Sequence, residues 1–159
     1  MEKYVKKILE ANVYDVAIQT PLEMAPLLSS RTGSEVLLKR EDMQPVFSFK
    51  IRGAYNKISR LTPSEKKKGV ITASAGNHAQ GVAMAATRLG IRSKIVMGEN
   101  TPSIKVDAVK AFGGEVILHG DTYDEAAGFA RKEATRTGAT YIHPFDDADV
   151  IAGQGTIGM

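Results

Sequence analysis

The chain has 159 residues, enough for one ordinary domain with a buried core or for parts of two small ones. Hydrophobic residues make up 43% and charged residues 25%, the balance of a soluble folded protein rather than of a disordered chain. The formal charge of +3 comes from scattered lysines and arginines, which gives no reason to expect nucleic acid or an anionic membrane as partner. The absence of cysteine excludes disulfides and thiolate metal sites.

The N-terminal residues, Met1 to Lys7, are charged and pattern as an amphipathic helix from about residue 2 to 11. No apolar run follows that would serve as a signal peptide or membrane span, so the cytoplasm is the expected location. Val13-Tyr14 and Thr20-Pro21-Leu22 lead to a second helix, about Met24 to Arg31, and a strand, Glu35 to Lys39. One strand and two short helices do not enclose a core.

From residue 62 the punctuation becomes regular. Thr62-Pro63-Ser64-Glu65 offers an N-cap, a first-position proline and a third-position glutamate. The helix it opens ends in Lys66-Lys67-Lys68 and Gly69, cations at the negative end of the dipole followed by a terminating glycine. Four strand-like runs then alternate with helices: Val70 to Thr72, Lys94 to Met97, Glu115 to Leu118 and Thr140 to Ile142. The intervening helices run from about Asn77 to Leu89, between Thr101-Pro102 and Gly113-Gly114, and from the capping box Thr122-Tyr123-Asp124-Glu125 to Gly138. Strands joined by helices of this length predict a parallel sheet and an α/β fold. Residues of about 55 to 148 thus pattern as a self-contained α/β unit. Ile151 to Met159 is glycine-rich and reads as a loop entering a further helix.

Two stretches offer chemistry. In Ser48-Phe49-Lys50-Ile51-Arg52-Gly53-Ala54, Lys50 sits where an extended segment meets a helix. A nucleophilic lysine must lose its proton, and Phe49, by burial, and Arg52, by its charge, are placed to favour that loss. Gly53 leaves room for a bulky ligand. The ordinary alternative is a solvated lysine in a first helical turn. Ala73-Ser74-Ala75-Gly76-Asn77-His78 directly follows a strand and opens a helix, so its free backbone amides suit a carboxylate or a phosphate. The alternative there is a plain βα turn with Ser74 or Asn77 as cap.

Gly153-Gln154-Gly155-Thr156 reads either as another anion loop or as a tight turn packed on the site, without the spacing of a dinucleotide fingerprint. His78, His119 and His143 match no zinc spacing, and no metal is expected. Asp146, Asp147 and Asp149 precede a helix start and suit capping.

Three segments together resemble a known family. Gln44-Pro45-Val46-Phe47-Ser48-Phe49-Lys50-Ile51-Arg52-Gly53-Ala54 resembles the pyridoxal-phosphate lysine motif of serine/threonine dehydratases. Thr72-Ala73-Ser74-Ala75-Gly76-Asn77-His78-Ala79-Gln80-Gly81-Val82-Ala83 is similar to their substrate-carboxylate loop, and Val150 to Gly158 to a third family segment. The resemblance implies fold type II architecture, two α/β domains with the cofactor between them and the smaller inserted in the larger. Residues 1–54 are then the first part of the large domain, 55–148 the small inserted domain, and 149–159 the return into the large one. It implies pyridoxal 5'-phosphate bound covalently to Lys50, with Phe49 against its ring and Asn77 on its phenolic oxygen. Ser74, Ala75, Gly76, Asn77 and His78 receive the substrate carboxylate.

The activity implied is β-elimination of L-threonine, and of L-serine, to a 2-oxo acid and ammonia, in a homo-oligomer. Ala11 to Val16 favours the biosynthetic type serving isoleucine, with serine racemase and catabolic threonine dehydratase as close alternatives and a non-catalytic α/β module as a more distant one. The family's glycine-rich phosphate loop and the residue meeting the pyridine nitrogen fall beyond Met159. A chain of this extent is expected to bind the cofactor weakly or not at all.

Overall fold

Residues 2–159 are described by the computed structural model. The chain opens with α1 (Glu2–Leu9) and reaches β1 (Leu22–Met24), α2 (Pro26–Thr32), β2 (Leu37–Lys39) and a 3-10 turn at Glu41–Met43. β1 and β2 pair antiparallel, Leu22 opposite Lys39 and Met24 opposite Leu37. β1 takes Met24, the first residue expected of the second helix. Three residues are too short for an alternating pattern to register, and the helix starts instead where Pro26 presets its first turn.

Next come α3 (Lys50–Ser59), α4 (Pro63–Lys68), β3 (Val70–Ala73), α5 (Asn77–Arg88), β4 (Ser93–Met97), α6 (Ser103–Ala111), β5 (Glu115–Leu118), α7 (Tyr123–Thr137), β6 (Thr140–Tyr141) and α8 (Ala148–Gly155), then a 3-10 turn at Thr156–Gly158. The two expected capping boxes form: Glu65 N–H donates to Thr62 Oγ1 at 3.3 Å, and Glu125 N–H to Thr122 Oγ1 at 3.3 Å. Asp147 caps α8, its Oδ1 accepting from the amides of Asp149 at 2.8 Å and Val150 at 3.1 Å.

The four parallel strands lie in the order β5-β4-β3-β6. Side chains on β3 and β4 alternate between two apolar clusters. Val70, Ile95 and Met97 face the α5 side, packing with Val82 and Ala83. Ile71, Ala73 and Val96 face α7, against Ala126, Ala127 and Ala130. α5 is buried on two sides, by the sheet and by α3, and only small residues allow this: Ala79, Gly81, Ala83, Ala85 and Ala86. No helix among the described residues is long and apolar enough to cross a membrane.

α3 is in turn sandwiched between α5 and α8. It spans residues 50–59 without interruption, across the domain boundary expected at 54/55. Residues 151–155, expected as a loop, are the second half of α8. Their glycines serve a helix crossing rather than a turn. A Cβ on Gly153 would lie 2.5 Å from the Arg52 carbonyl oxygen and 2.7 Å from the Gly53 Cα, and one on Gly53 would lie 2.8 Å from the Val150 carbonyl oxygen.

One polar cluster is buried in this assembly. Arg52, 1% exposed, donates two parallel hydrogen bonds to Glu41, from Nε to Oε2 at 2.7 Å and from the second nitrogen to Oε1 at 2.8 Å. It also reaches Thr156 Oγ1 at 3.2 Å and the Ile18 carbonyl at 3.2 Å. Thr20 and Gln44 add donors to Glu41. Burial pushes the Glu41 carboxyl up, but Arg52, Thr20 and Gln44 together hold it below its ordinary value. Removing one partner of such a pair strands the other charge in the interior. Glu41→Ala is therefore expected to cost about 3–5 kcal/mol, measured as a lowered urea midpoint at neutral pH, with Glu41→Gln losing less because it keeps an acceptor for Arg52.

Candidate active site

The sheet changes winding direction between β3 and β6: β4 follows β3 on one side, and β6 returns on the other. In open parallel sheets, ligands collect outside the C-terminal ends of the strands at such a point. Here that crevice contains the loop from Ser74 to Gly76, the start of α5, the segment 142–145 after β6, and the first turn of α3.

Lys50 is the first residue of α3. Its Nζ donates to the Pro144 carbonyl at 2.9 Å and lies 5.3 Å from the centre of the Phe49 ring. Partial burial lowers its pKa from the ordinary lysine value. Arg52, expected to contribute to this, does not. Two residues on along the helix, it is turned to the opposite side and committed to Glu41. Gly53, expected to make room for a ligand, faces α8, and the space beside it is filled by Gln154 and Val150. The glycine that matters to the lysine is Gly81 on α5, where a Cβ would lie 3.2 Å from the Lys50 carbonyl and the Ile51 amide. α5 thereby touches the backbone of the first turn of α3.

The βα turn expected to receive an anion runs from Ser74 to Gly76 and leads directly into α5. Ser74 Oγ accepts from the Gly76 amide at 3.2 Å. The amides of Asn77 and His78, first in α5, have no preceding turn to bond. Gly76 has open space where a side chain would stand, and Asn77 is exposed beside it. Ser74 and Ala75 are half-buried.

The His78 side chain, 3% exposed, turns inward. Its Nε2 meets the Ile142 carbonyl at 3.1 Å, an oxygen that also accepts from Thr72 Oγ1 at 2.8 Å. Only the backbone of His78 therefore faces the turn. Of the other histidines, His119 stacks on Phe129, 4.2 Å between ring centres, and His143 Nδ1 accepts the Asp146 amide at 2.8 Å.

Thr72, Ile142 and Pro144 were not recognisable as site residues from sequence. Two of the three act through backbone carbonyls, which every residue type possesses.

Burial lowers the His78 pKa to about 4, against the hydrogen bond to the Ile142 carbonyl and aided by the nearby charge of Lys50. The folded chain keeps this imidazole neutral, whereas the unfolded chain protonates it near pH 6.5. Stability is thus complete above that pH and declines as pH falls toward 4, by about 3 kcal/mol for this one group. Urea unfolding at stepped pH is expected to show the decline in the parent chain, and a shallower one in His78→Gln.

The chain matches the family described as Pyridoxal-phosphate dependent enzyme over residues 13–159. It is 58% identical over 157 residues to threonine dehydratase 1 biosynthetic, chloroplastic, of Solanum lycopersicum, a match covering 99% of this chain and 26% of that protein. The structure of the processed form of threonine deaminase isoform 2 from the same plant is similar with a TM-score of 0.95 at 58% identity, covering 99% of this chain and 43% of that one. Maize serine racemase follows with a TM-score of 0.92 at 35% identity, covering 96% and 47%. The chain spans 26–31% of the length of the curated relatives it matches. With its lysine at the sheet's crevice and its family match over nearly the whole length, this chain belongs to the pyridoxal-phosphate-dependent enzymes of fold type II.

Proposed function

We propose that the chain carries the lysine-bearing half of a site that deaminates L-threonine, and L-serine, by β-elimination. The observation that carries this reading is the Lys50 amine, lowered in basicity and held on Pro144 at the crevice where α5 begins. The residues present fit pyridoxal 5'-phosphate. Lys50 offers an amine for its aldehyde, Phe49 a half-exposed ring for its pyridine face, and Asn77 an exposed amide for its phenolic oxygen. The cofactor, when bound, supplies a conjugated ring that accepts the electron pair of the substrate's Cα–H bond.

The chain's own residues account for the rest. The amides of Asn77 and His78, at the positive end of a 12-residue helix, bind and orient the substrate carboxylate together with Ser74. Lys50 Nζ, as a neutral amine, would take the Cα proton. Burial favours that neutral form and fixed placement favours the transfer. The β-hydroxyl then leaves as water, the proton taken from Cα and the hydroxyl together making up the water lost. The released enamine hydrolyses, so that L-threonine gives 2-oxobutanoate and ammonia, and L-serine gives pyruvate and ammonia.

The name of the tomato relative supports the threonine reading at 58% identity, and the likeness to maize serine racemase keeps racemisation as a second reading at 35%. A homo-oligomer in the cytoplasm completes the proposal. It is tested on the complete protein that contains this segment, supplied with pyridoxal 5'-phosphate. L-Threonine is expected to yield 2-oxobutanoate, and Lys50→Ala to lower the rate by about a thousandfold or more. D-serine formation from L-serine without keto acid would move the assignment to racemisation. Unchanged turnover in Lys50→Ala would end the role given to that lysine.

A further inference from the structure

We propose that His78 is the positioning residue for Lys50, acting through the segment from Ile142 to Pro144 rather than through the substrate. This inference rests on Lys50 being the reacting amine. Its starting point is that the carbonyl holding the lysine is itself held from both directions. On one side, the Ile142 amide donates to Ile71 at 2.8 Å, and the Ile142 carbonyl receives both Thr72 Oγ1 at 2.8 Å and His78 Nε2 at 3.1 Å. On the other side, His143 Nδ1 accepts the amides of Asp146 at 2.8 Å and Phe145 at 3.3 Å, closing the turn. Pro144 lies between these anchors, buried, its φ fixed by its ring. Its carbonyl accepts Lys50 Nζ at 2.9 Å.

The state of the imidazole follows from its partner. A carbonyl only accepts, so Nε2 carries the hydrogen and Nδ1 is a bare lone pair. Among the described residues that Nδ1 is buried with no hydrogen-bond partner, a costly arrangement for a side chain that serves packing alone. The Ile142 oxygen already has a donor in Thr72. What His78 adds is a second fixed point on the strand end, from the same helix whose first amides face the crevice. The charged and titratable groups facing His78 are Lys50 and His143.

The anchored carbonyl therefore sets where the free lysine amine stands and how far it is withdrawn from water. Loss of the anchor lets Lys50 swing into solvent and regain ordinary basicity.

The test reads the lysine directly, without cofactor or substrate. Trace acetylation of the whole chain with isotopically labelled acetic anhydride, followed across pH, gives the titration midpoint of Lys50 from its peptide. His78→Leu, checked for folding by circular dichroism, is expected to raise that midpoint by half a unit or more, cutting the Lys50 amine fraction at neutral pH about threefold. His78→Gln, whose amide nitrogen lies the same number of bonds from Cα, is expected to keep the parent midpoint. Thr72→Val is expected to move it in the same direction by less, and decides the matter if His78→Leu does not fold. In the complete protein with cofactor, His78→Leu is expected to lower kcat for L-threonine with little change in KM, and His78→Gln to restore it.

A folded His78→Leu chain with an unshifted Lys50, or His78→Gln shifted as far as His78→Leu, overturns the proposal. So does an unshifted Thr72→Val where His78→Leu does not fold. A shifted Lys50 in a complete protein that does not deaminate threonine would retire the proposed activity while leaving the positioning role intact.

Discussion

The bidentate contact between Arg52 and Glu41 sets the geometry on which the rest depends. A guanidinium and a carboxylate meet edge to edge, and their remaining hydrogen-bonding capacity goes to Thr20, Gln44, Ile18 and Thr156. With Arg52 itself on α3, the cluster draws on four separate stretches: the residues after α1, the 3-10 turn with the residue that follows it, α3, and the turn after α8. The pair thereby fixes the rotation of α3 about its axis. Residues two apart on an α-helix point about 200° away from each other, so a side chain locked inward at Arg52 sends Lys50 outward to the opposite side, toward Pro144. The charge on Arg52 is spent on placement and has no part in tuning the amine.

Close approach of helices is the second constraint, and it is met by omission of side chains. α3 touches α8 glycine to glycine, at Gly53 and Gly153, and touches α5 at Gly81. Three helices and a sheet can stack in this way only where backbone meets backbone. The result is that the first turn of α3, the first turn of α5 and the end of β6 converge within side-chain reach, although they lie far apart along the chain.

Most of the frame was legible in the sequence because it is encoded locally. The strands of the parallel sheet alternate with helices whose caps are explicit, as at Thr62 and Thr122, and the structure has them within a residue or two of their expected bounds. The roles of glycine were not legible. Gly153 and Gly155 carry a strong loop signal in isolation, but α3 and the Ile8 side chain occupy the volume where their side chains would stand, so packing outweighs propensity. The space beside Gly53 is likewise taken up by a neighbouring helix, through Gln154 and Val150. Within the site, Lys50, Ser74 and Asn77 were recognisable as residue types in a pattern. Pro144 and Ile142 contribute carbonyl oxygens, and Thr72 looks like any strand threonine until its partner, 70 residues on, is in place.

The hydrogen bond from Lys50 to Pro144 joins positions 94 residues apart. While the chain is being made, α3 is complete long before β6 exists to dock beside β3. Until β6 docks beside β3, the Pro144 carbonyl that receives the lysine amine has no fixed place. Docking of β6 beside β3 brings the Pro144 carbonyl to the lysine. The setting of the amine is thus a property of contact between distant segments, and not of the helix that bears it.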